Sequence, residues 1–359
     1  MAAVSSETEA GERPLISVIM IFLNEARFIE EAISSVLVQS ERDWELLLID
    51  DGSTDGSAEI ARSHTEKRPV KVRYLRHPGG ETRGTGPSRD LGLRSARGRY
   101  VAFLDADDTY LPGRLARHVE ILERMRDIDV VQSYHVNWLS WQPMALREED
   151  DHLQGPVFPA ETILAPPLAL INSLMNVDSA VGMDTVTIRR SAALKHGGFE
   201  VAFTSLFEDQ AFLTKLYLEH TTYLLPECLA RYRMHRNSTF GRAVATAHKV
   251  GGDYQSASRA LANWQLDYFQ SKGATDRLIA ELLERNVRAA NASSLRWRGW
   301  WMLCTSNLRR VMSRLLPGRI YRGLRRRRRV AAHRNLWLSY QAICSERARA
   351  DLQLSSGET

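Results

Sequence analysis

Cysteine is scarce: Cys228, Cys304 and Cys344 are the only three in 359 residues, widely spaced and odd in number. That pattern fits neither a disulfide framework nor a zinc site, so a reducing compartment is the simpler reading. No apolar run approaches the roughly 18 to 20 residues that cross a bilayer. The first thirteen residues are small, polar and acidic, without the basic start and apolar stretch of a signal peptide, and are expected to form a disordered tail. A cytoplasmic protein is expected, free or held peripherally at the inner face of a membrane. Glycine and proline are few, there is no internal repeat, and there is no GxxxxGK[ST] phosphate loop. Gly84-Thr85-Gly86 is only a fragment of GxGxxG, since Arg89 stands where the third glycine belongs, and this argues against a dinucleotide-binding dehydrogenase.

What is present is ordinary globular composition, 44% apolar and 25% charged, in a chain long enough for one large domain or two small ones. LISVIMIF, from Leu15 to Phe22, reads as a strand buried on both faces, and Ile29, Ala32, Ile33, Val36 and Leu37 then fall on one helical face. Further strands are expected at Glu45–Ile49, Val70–Leu75 and Tyr100–Leu104, with helices from Ser57, near Pro87–Ala96 and from about Pro112. Strand and helix alternating four times predict an α/β domain with a mostly parallel sheet. The stretch from Met144 to Asn176 is less regular and reads as a loop or connector. DTVTIRR and a helix over about Glu208–Glu219 restore the α/β pattern, and beyond about Gly241 the chain reads as helical.

In such sheets ligands bind beyond the carboxyl ends of the strands. Acidic motifs stand at two of those ends. LDADD places Asp105 and Asp107 one small residue apart, suited to a divalent cation and to the sugar or phosphate oxygens around it. The alternative is a solvated acidic turn, with Asp108 or Thr109 capping the next helix. IDDGSTDGS sets Asp50 and Asp51 directly after an apolar run, where an unpaired carboxylate is costly unless solvated or bound; Ser53–Ser57 read as turn and cap residues. In LFEDQAFLTKL, Asp209 sits in a helix first turn. The helix dipole favours its charge there, so a role as a base requires desolvation to raise its pKa.

Taken in order, these pieces resemble the family 2 glycosyltransferases, inverting enzymes of the GT-A fold. ISVIMIFLNEARFIEEAISSVLVQS, WELLLIDDGSTDGS, RGRYVAFLDADD, GGFEVAFTSLFEDQAFLTKL and YRMHRNST follow the family's sequence of motifs over Pro14 to about Thr239. The resemblance implies a GT-A domain over 14–240 and a helical region over 241–359. It implies a metal-dependent transfer from a nucleotide-diphosphate sugar, a UDP-sugar first among the candidates, to a glycan or lipid-linked acceptor in polysaccharide or other glycoconjugate synthesis. Carried onto this chain, it sets Phe22, Asn24, Glu25, Asp50 and Asp51 around the nucleotide and Asp105 and Ala106 near the ribose. Asp107 and His235 fall to a manganese or magnesium ion, and Asp209 is implied as the base. The family's Ala-Arg-Asn-like run appears here as Ser88-Arg89-Asp90, so Arg89 keeps a donor-side role while Asp90 departs from the pattern, and GGETRGTGPS is longer than the family suggests.

Two other readings compete. LDADDT also fits the DxDxT of a haloacid-dehalogenase-type phosphatase with Asp105 as nucleophile, although a complete strand–helix–strand unit precedes it here. A non-catalytic nucleotide-sugar-binding module would keep the fold and lose the chemistry. Near the C-terminus Trp297, Trp300, Trp301 and Arg325–Arg329 suit an anionic membrane surface or, equally, a helical subdomain with a basic face; no nucleic-acid partner is expected.

Overall fold

The computed structural model describes residues 13–141, 151–155, 161–175, 182–246 and 253–291. The chain begins with β1 (Ile16–Phe22), α1 (Ile29–Leu37), β2 (Trp44–Asp50), α2 (Ser57–Lys67), β3 (Val72–Arg76), α3 (Thr85–Ser95) and β4 (Tyr100–Asp105). These four strands are parallel, in the order β3-β2-β1-β4. Every residue of β1 and β2 is buried, which is why they read as continuous apolar runs rather than alternating ones.

The chain continues through β5 (Thr109–Tyr110), α4 (Arg114–Arg124), β6 (Val130–Trp138), β7 (His152–Gln154), β8 (Thr162–Leu164), α5 (Leu168–Met175), β9 (Val186–Arg189), α6 (Arg190–Lys195), α7 (Glu208–Glu219) and β10 (Thr222–Arg233). β9 lies antiparallel between β4 and β6, so β6, and β10 parallel to it, run in the same sense as β4. The carboxyl ends of β1, β4, β6 and β10 therefore share one edge of a single sheet. The expected loop or connector after Met144 contains β7, β8 and α5 among its described residues.

Three helices end the described chain: α8 (Thr239–Thr246), α9 (Asp253–Ser271) and α10 (Arg277–Asn291). Apolar residues pack on both sheet faces. On one, Val18, Met20, Leu46 and Leu104 meet Ile33 of α1 and Leu115 and Leu122 of α4. On the other, Ile19, Leu47 and Phe103 meet Leu93 of α3 and Phe212 and Leu216 of α7, in a cluster that also takes in Phe269, Ile279, Leu282 and Leu283 from α9 and α10. Among the described residues no helix is long and apolar enough to cross a membrane. The tryptophan- and arginine-rich stretch from Trp297 to Arg329 lies outside them.

Candidate active site

At the end of β4, Asp105, Asp107 and Asp108 bring carboxylate oxygens within 4.8 Å of one another. Asp108 does not cap α4, whose N-cap is Gly113; it is buried and accepts the backbone N–H of Arg233 at 2.7 Å. Burial first, then the charges of Asp107, Asp184 and Asp105, push its pKa well above the usual aspartate range. Asp105 is also raised, by burial, against the opposing effect of Arg89. Glu25 joins from the β1–α1 loop: burial, then Asp107 and Asp105, lift it to about 8. Crowded hard-oxygen donors that resist ionisation together are a donor set that a divalent cation such as Mg or Mn would relieve.

His235 approaches the same point. A ring nitrogen lies 3.0 Å from Asp107 Oδ2, and the imidazole packs against Phe28 with centroids 5.2 Å apart. Arg233 fixes the wall behind it, its guanidinium 4.7 Å from the Phe28 ring centroid and 4.4 Å from that of Trp138, while Nε donates to the Asp107 carbonyl at 2.7 Å. Ala106, buried between the two aspartates, ties the turn to β1 through its N–H and the Ile21 carbonyl.

The second acidic motif shapes loops. Ser53 Oγ accepts the Asn24 N–H, Ser57 Oγ the Glu25 N–H and Asp55 the Ala26 N–H, so these residues lace the loop after β1 to the loop after β2. The expectation of turn and cap residues holds for Asp55, whose Oδ1 accepts the N–H of Ser57, the first residue of α2, at 2.9 Å, while the Ser53 and Ser57 hydroxyls serve the neighbouring loop and the N-cap, Gly56, has no side chain to offer. Asn24 takes a left-handed φ of 58° and accepts the N–H groups of Thr54 and Asp55 on Oδ1. Asp50 is fully buried, accepting Ser53 N–H and Tyr74 O–H. Asp51 accepts the N–H groups of Arg83 and Gly84 and the Ser88 hydroxyl, gathering the glycine-rich loop onto the start of α3. Both carboxylates are thus satisfied by protein donors, which is how a strand end tolerates two of them. Phe22 is buried beneath, its ring 6.4 Å from Tyr74.

Arg89, next to Ser88 on α3, is buried and joins the acidic turn to α7. Nη2 donates to both oxygens of Asp105 at 2.7 and 2.9 Å, and Nη1 donates to the carboxylate of Glu208. Burial opposes its charge, but Asp105, Glu208 and Asp209 more than offset that and hold its pKa above the usual value. Asp209 is half-buried one residue further on. Burial raises its pKa despite Arg89, so the desolvation that a base in a helix first turn requires is present. Glu208 is lifted by burial to about 7. Asp90 faces elsewhere, accepting the N–H of Phe199 and the Nε of Arg94, so the departure from the Arg-Asn pattern falls away from the acidic turn.

Asp51 is therefore tied to Ser88 and Asp105 to the neighbouring Arg89, His235 is tied to Asp107, and Asp209 follows Glu208, the residue that Arg89 holds. Sequence reasoning gave Asp108 no role beyond the acidic cluster or a cap, and it missed Glu208 and Asp184, whose carboxylate holds His135 Nδ1 at 2.8 Å and whose charge acts on Asp105 and Asp108. The doubled acids of DADD and FED were the signals present for Asp108 and Glu208.

Against this geometry stand the comparisons. A family model described as glycosyl transferase family 2 matches residues 17–196. TuaG of Bacillus subtilis, named for teichuronic acid biosynthesis, is 29% identical over 271 residues, covering 74% of this chain and 98% of TuaG. A glycosyltransferase of Nostoc sp. is 39% identical over 120 residues, 33% of this chain and 35% of that one. Residues 1–349 of S. aureus TarS in complex with UDP-GlcNAc superpose with a TM-score of 0.56 at 18% identity, covering 80% of this chain and 75% of that one. The mannosyltransferase PcManGT of Pyrobaculum calidifontis, with GDP-Man and Mn2+, gives 0.52 at 17%, covering 95% and 88%.

Proposed function

This chain belongs to glycosyl transferase family 2 and is a glycosyltransferase of the GT-A fold, and from that premise we propose that it moves a sugar from a nucleotide-diphosphate donor to an acceptor hydroxyl with inversion at the anomeric carbon. The observation that carries the proposal is the bridge of Arg89 between Asp105, in the acidic turn, and Glu208, beside Asp209. In this reading a group able to take a proton and groups able to manage a leaving diphosphate stand on either side of Arg89.

In this reading Asp209 accepts the proton of the acceptor hydroxyl while that oxygen attacks from the face opposite the departing diphosphate. Asp107, with Asp105, Asp108 and His235 beside it, would hold a divalent cation, which when bound neutralises the diphosphate. Asp105 approaches the ribose, and Ala106 is small enough to let the donor come close. Phe22, Asn24, Glu25 and Asp51 line the nucleotide side, with Asp50 bracing Asp51 from below. Arg89 Nε is buried with no partner among the described residues and is the atom of that side chain left for the donor. Donor and acceptor held in line supply much of the remaining rate. A UDP-sugar is the favoured donor, supported by the UDP-GlcNAc bound to TarS, with the GDP-Man of PcManGT as the rival. TuaG supports a polysaccharide or other glycoconjugate acceptor, glycan or lipid-linked.

The test is nucleotide release from UDP-GlcNAc, UDP-glucose, UDP-galactose and GDP-mannose, with and without manganese. Asp209→Asn should lower turnover by about a thousandfold, the order expected for loss of a general base, and leave donor binding nearly intact. Asp107→Ala should abolish the manganese-dependent part of donor binding in calorimetry. Unchanged turnover in Asp209→Asn removes that residue from its role.

The segment Trp297–Arg329 is proposed to rest on an anionic membrane surface, where tryptophan and arginine together are favoured. Flotation with phosphatidylserine vesicles at low salt should carry the protein upward. Protein left at the bottom of the gradient ends that idea.

A further inference from the structure

Phe207, directly before the acidic pair Glu208-Asp209, has φ 64° and ψ 12°. For a bulky aromatic residue this left-handed conformation is an outlier. Such strain persists only where the surroundings over-determine it. α7 supplies no side-chain cap at this end, so the usual means of fixing a helix start is missing.

Two contacts with α3 do the fixing. Ahead of Phe207, the backbone of Phe203 and Thr204 lies against Gly84 and Gly86. A Cβ would stand 2.0 Å from the Thr204 oxygen at Gly84 and 2.3 Å from the Phe203 oxygen at Gly86, so only glycine permits the approach. Thr85 Oγ1 donates to the Thr204 oxygen at 3.2 Å. Behind Phe207, Arg89 holds the buried carboxylate of Glu208 while its other nitrogen holds Asp105. The Phe207 ring leans on Tyr254 of α9, centroids 5.4 Å apart.

We propose that the Arg89–Glu208 pair is a positioning device that keeps Phe207 left-handed and so sets where Asp209 stands relative to Asp105. Glu208 is then a positioning residue, acting through the backbone of its neighbour. The inference rests on the reading of Asp209 as the base. Without the pair, Phe207 relaxes toward an ordinary conformation and the first turn of α7 swings with it.

The experiment compares Glu208→Gln, Phe207→Gly, the two together, and Phe207→Ala combined with Glu208→Gln. Glutamine keeps the shape of glutamate and loses its charge. Glycine adopts positive φ freely and alanine does not, although both remove the ring. Nucleotide release from the same four sugars should fall about a hundredfold in Glu208→Gln, the effect of a misplacement near 1 Å. Binding of UDP with manganese should stay within about twofold of the parent, because in this proposal Glu208 does not touch the donor. Adding Phe207→Gly should recover about tenfold of that turnover, and adding Phe207→Ala none. Phe207→Gly alone sets the effect of losing the ring.

Amide exchange across residues 208–212 should follow the same order, faster in Glu208→Gln and restored only by glycine, whichever sugar the enzyme accepts. Equal turnover in the two double variants overturns the proposal, as does unchanged exchange in Glu208→Gln. Loss of UDP binding in Glu208→Gln overturns it too, by placing Glu208 at the donor. If the parent releases nucleotide from none of the sugars, the reading of its donor fails, and the exchange order still decides the positioning role.

Discussion

Burial, and with it the charge of Asp107, raises the proton affinity of Glu25, Asp105 and Asp108, and Glu25 reaches about 8 from an ordinary 4.5. A group whose pKa rises on folding contributes stability that is complete below its unfolded value and is lost as pH climbs through its folded value. Glu25 should therefore make the metal-free protein melt at progressively lower temperature between about pH 4.5 and 8. Glu25→Gln should flatten that slope, and manganese should flatten it in the parent; a slope unchanged by the substitution would clear Glu25 as its source. Single residues were only partly legible in the sequence. Asp105, Asp107, Asp209 and His235 stand in motifs whose order is informative. The division of roles between Glu208 and Asp209 is not, because neighbours in a helix point about 100° apart and only the packed position of Arg89 tells which one it holds.

The elements that were plain in the sequence are those with one dominant cause. β1, β2 and β4 are apolar on both faces because helices cover both sides. β5, β7 and β8 have two or three residues each and exist through pairing, β5 and β8 with β10 far along the chain and β7 with the neighbouring β6, which local sequence does not record. The glycine-rich loop was legible as a loop and not as a contact surface. Its length serves two purposes at once: Arg83 and Gly84 offer N–H groups to Asp51, and Gly84 and Gly86 admit the strand of chain that leads into α7. The turn residues Ser53 and Ser57 misled for a related reason. Their oxygens are equally good acceptors for a helix start and for a neighbouring loop, and the fold presents the loop.

At the scale of the molecule, the change of pattern near Gly241 suggests a boundary, and the packing of α9 and α10 bears on how independent the later helices are. Phe269, Ile279, Leu282 and Leu283 lie in the same apolar cluster as Ile19, Leu47 and Phe212. Gln265 donates to Thr214 on α7 at 2.8 Å, and Arg285 donates to the Leu174 carbonyl at 2.9 Å. Trp264 and Tyr254 touch Phe203 and Phe207, the two ends of the segment that sets Asp209. Helices joined in this way should melt together with the α/β body. Leu283 is 1% exposed, and Leu283→Ala should cost about 3 kcal/mol, a typical figure for a buried leucine. For a chain of this size that is a fall of roughly 4 °C in Tm. Leu278, 48% exposed on the same helix, should change stability by less than about 0.5 kcal/mol when replaced by alanine. Calorimetry of both variants, with circular dichroism and tryptophan fluorescence as separate probes, should give one coincident transition that moves in the first and stays in the second. An early transition confined to helix signal, with the remainder melting at the parent temperature, would mean that the late helices are an appended module and that the catalytic body ends before them.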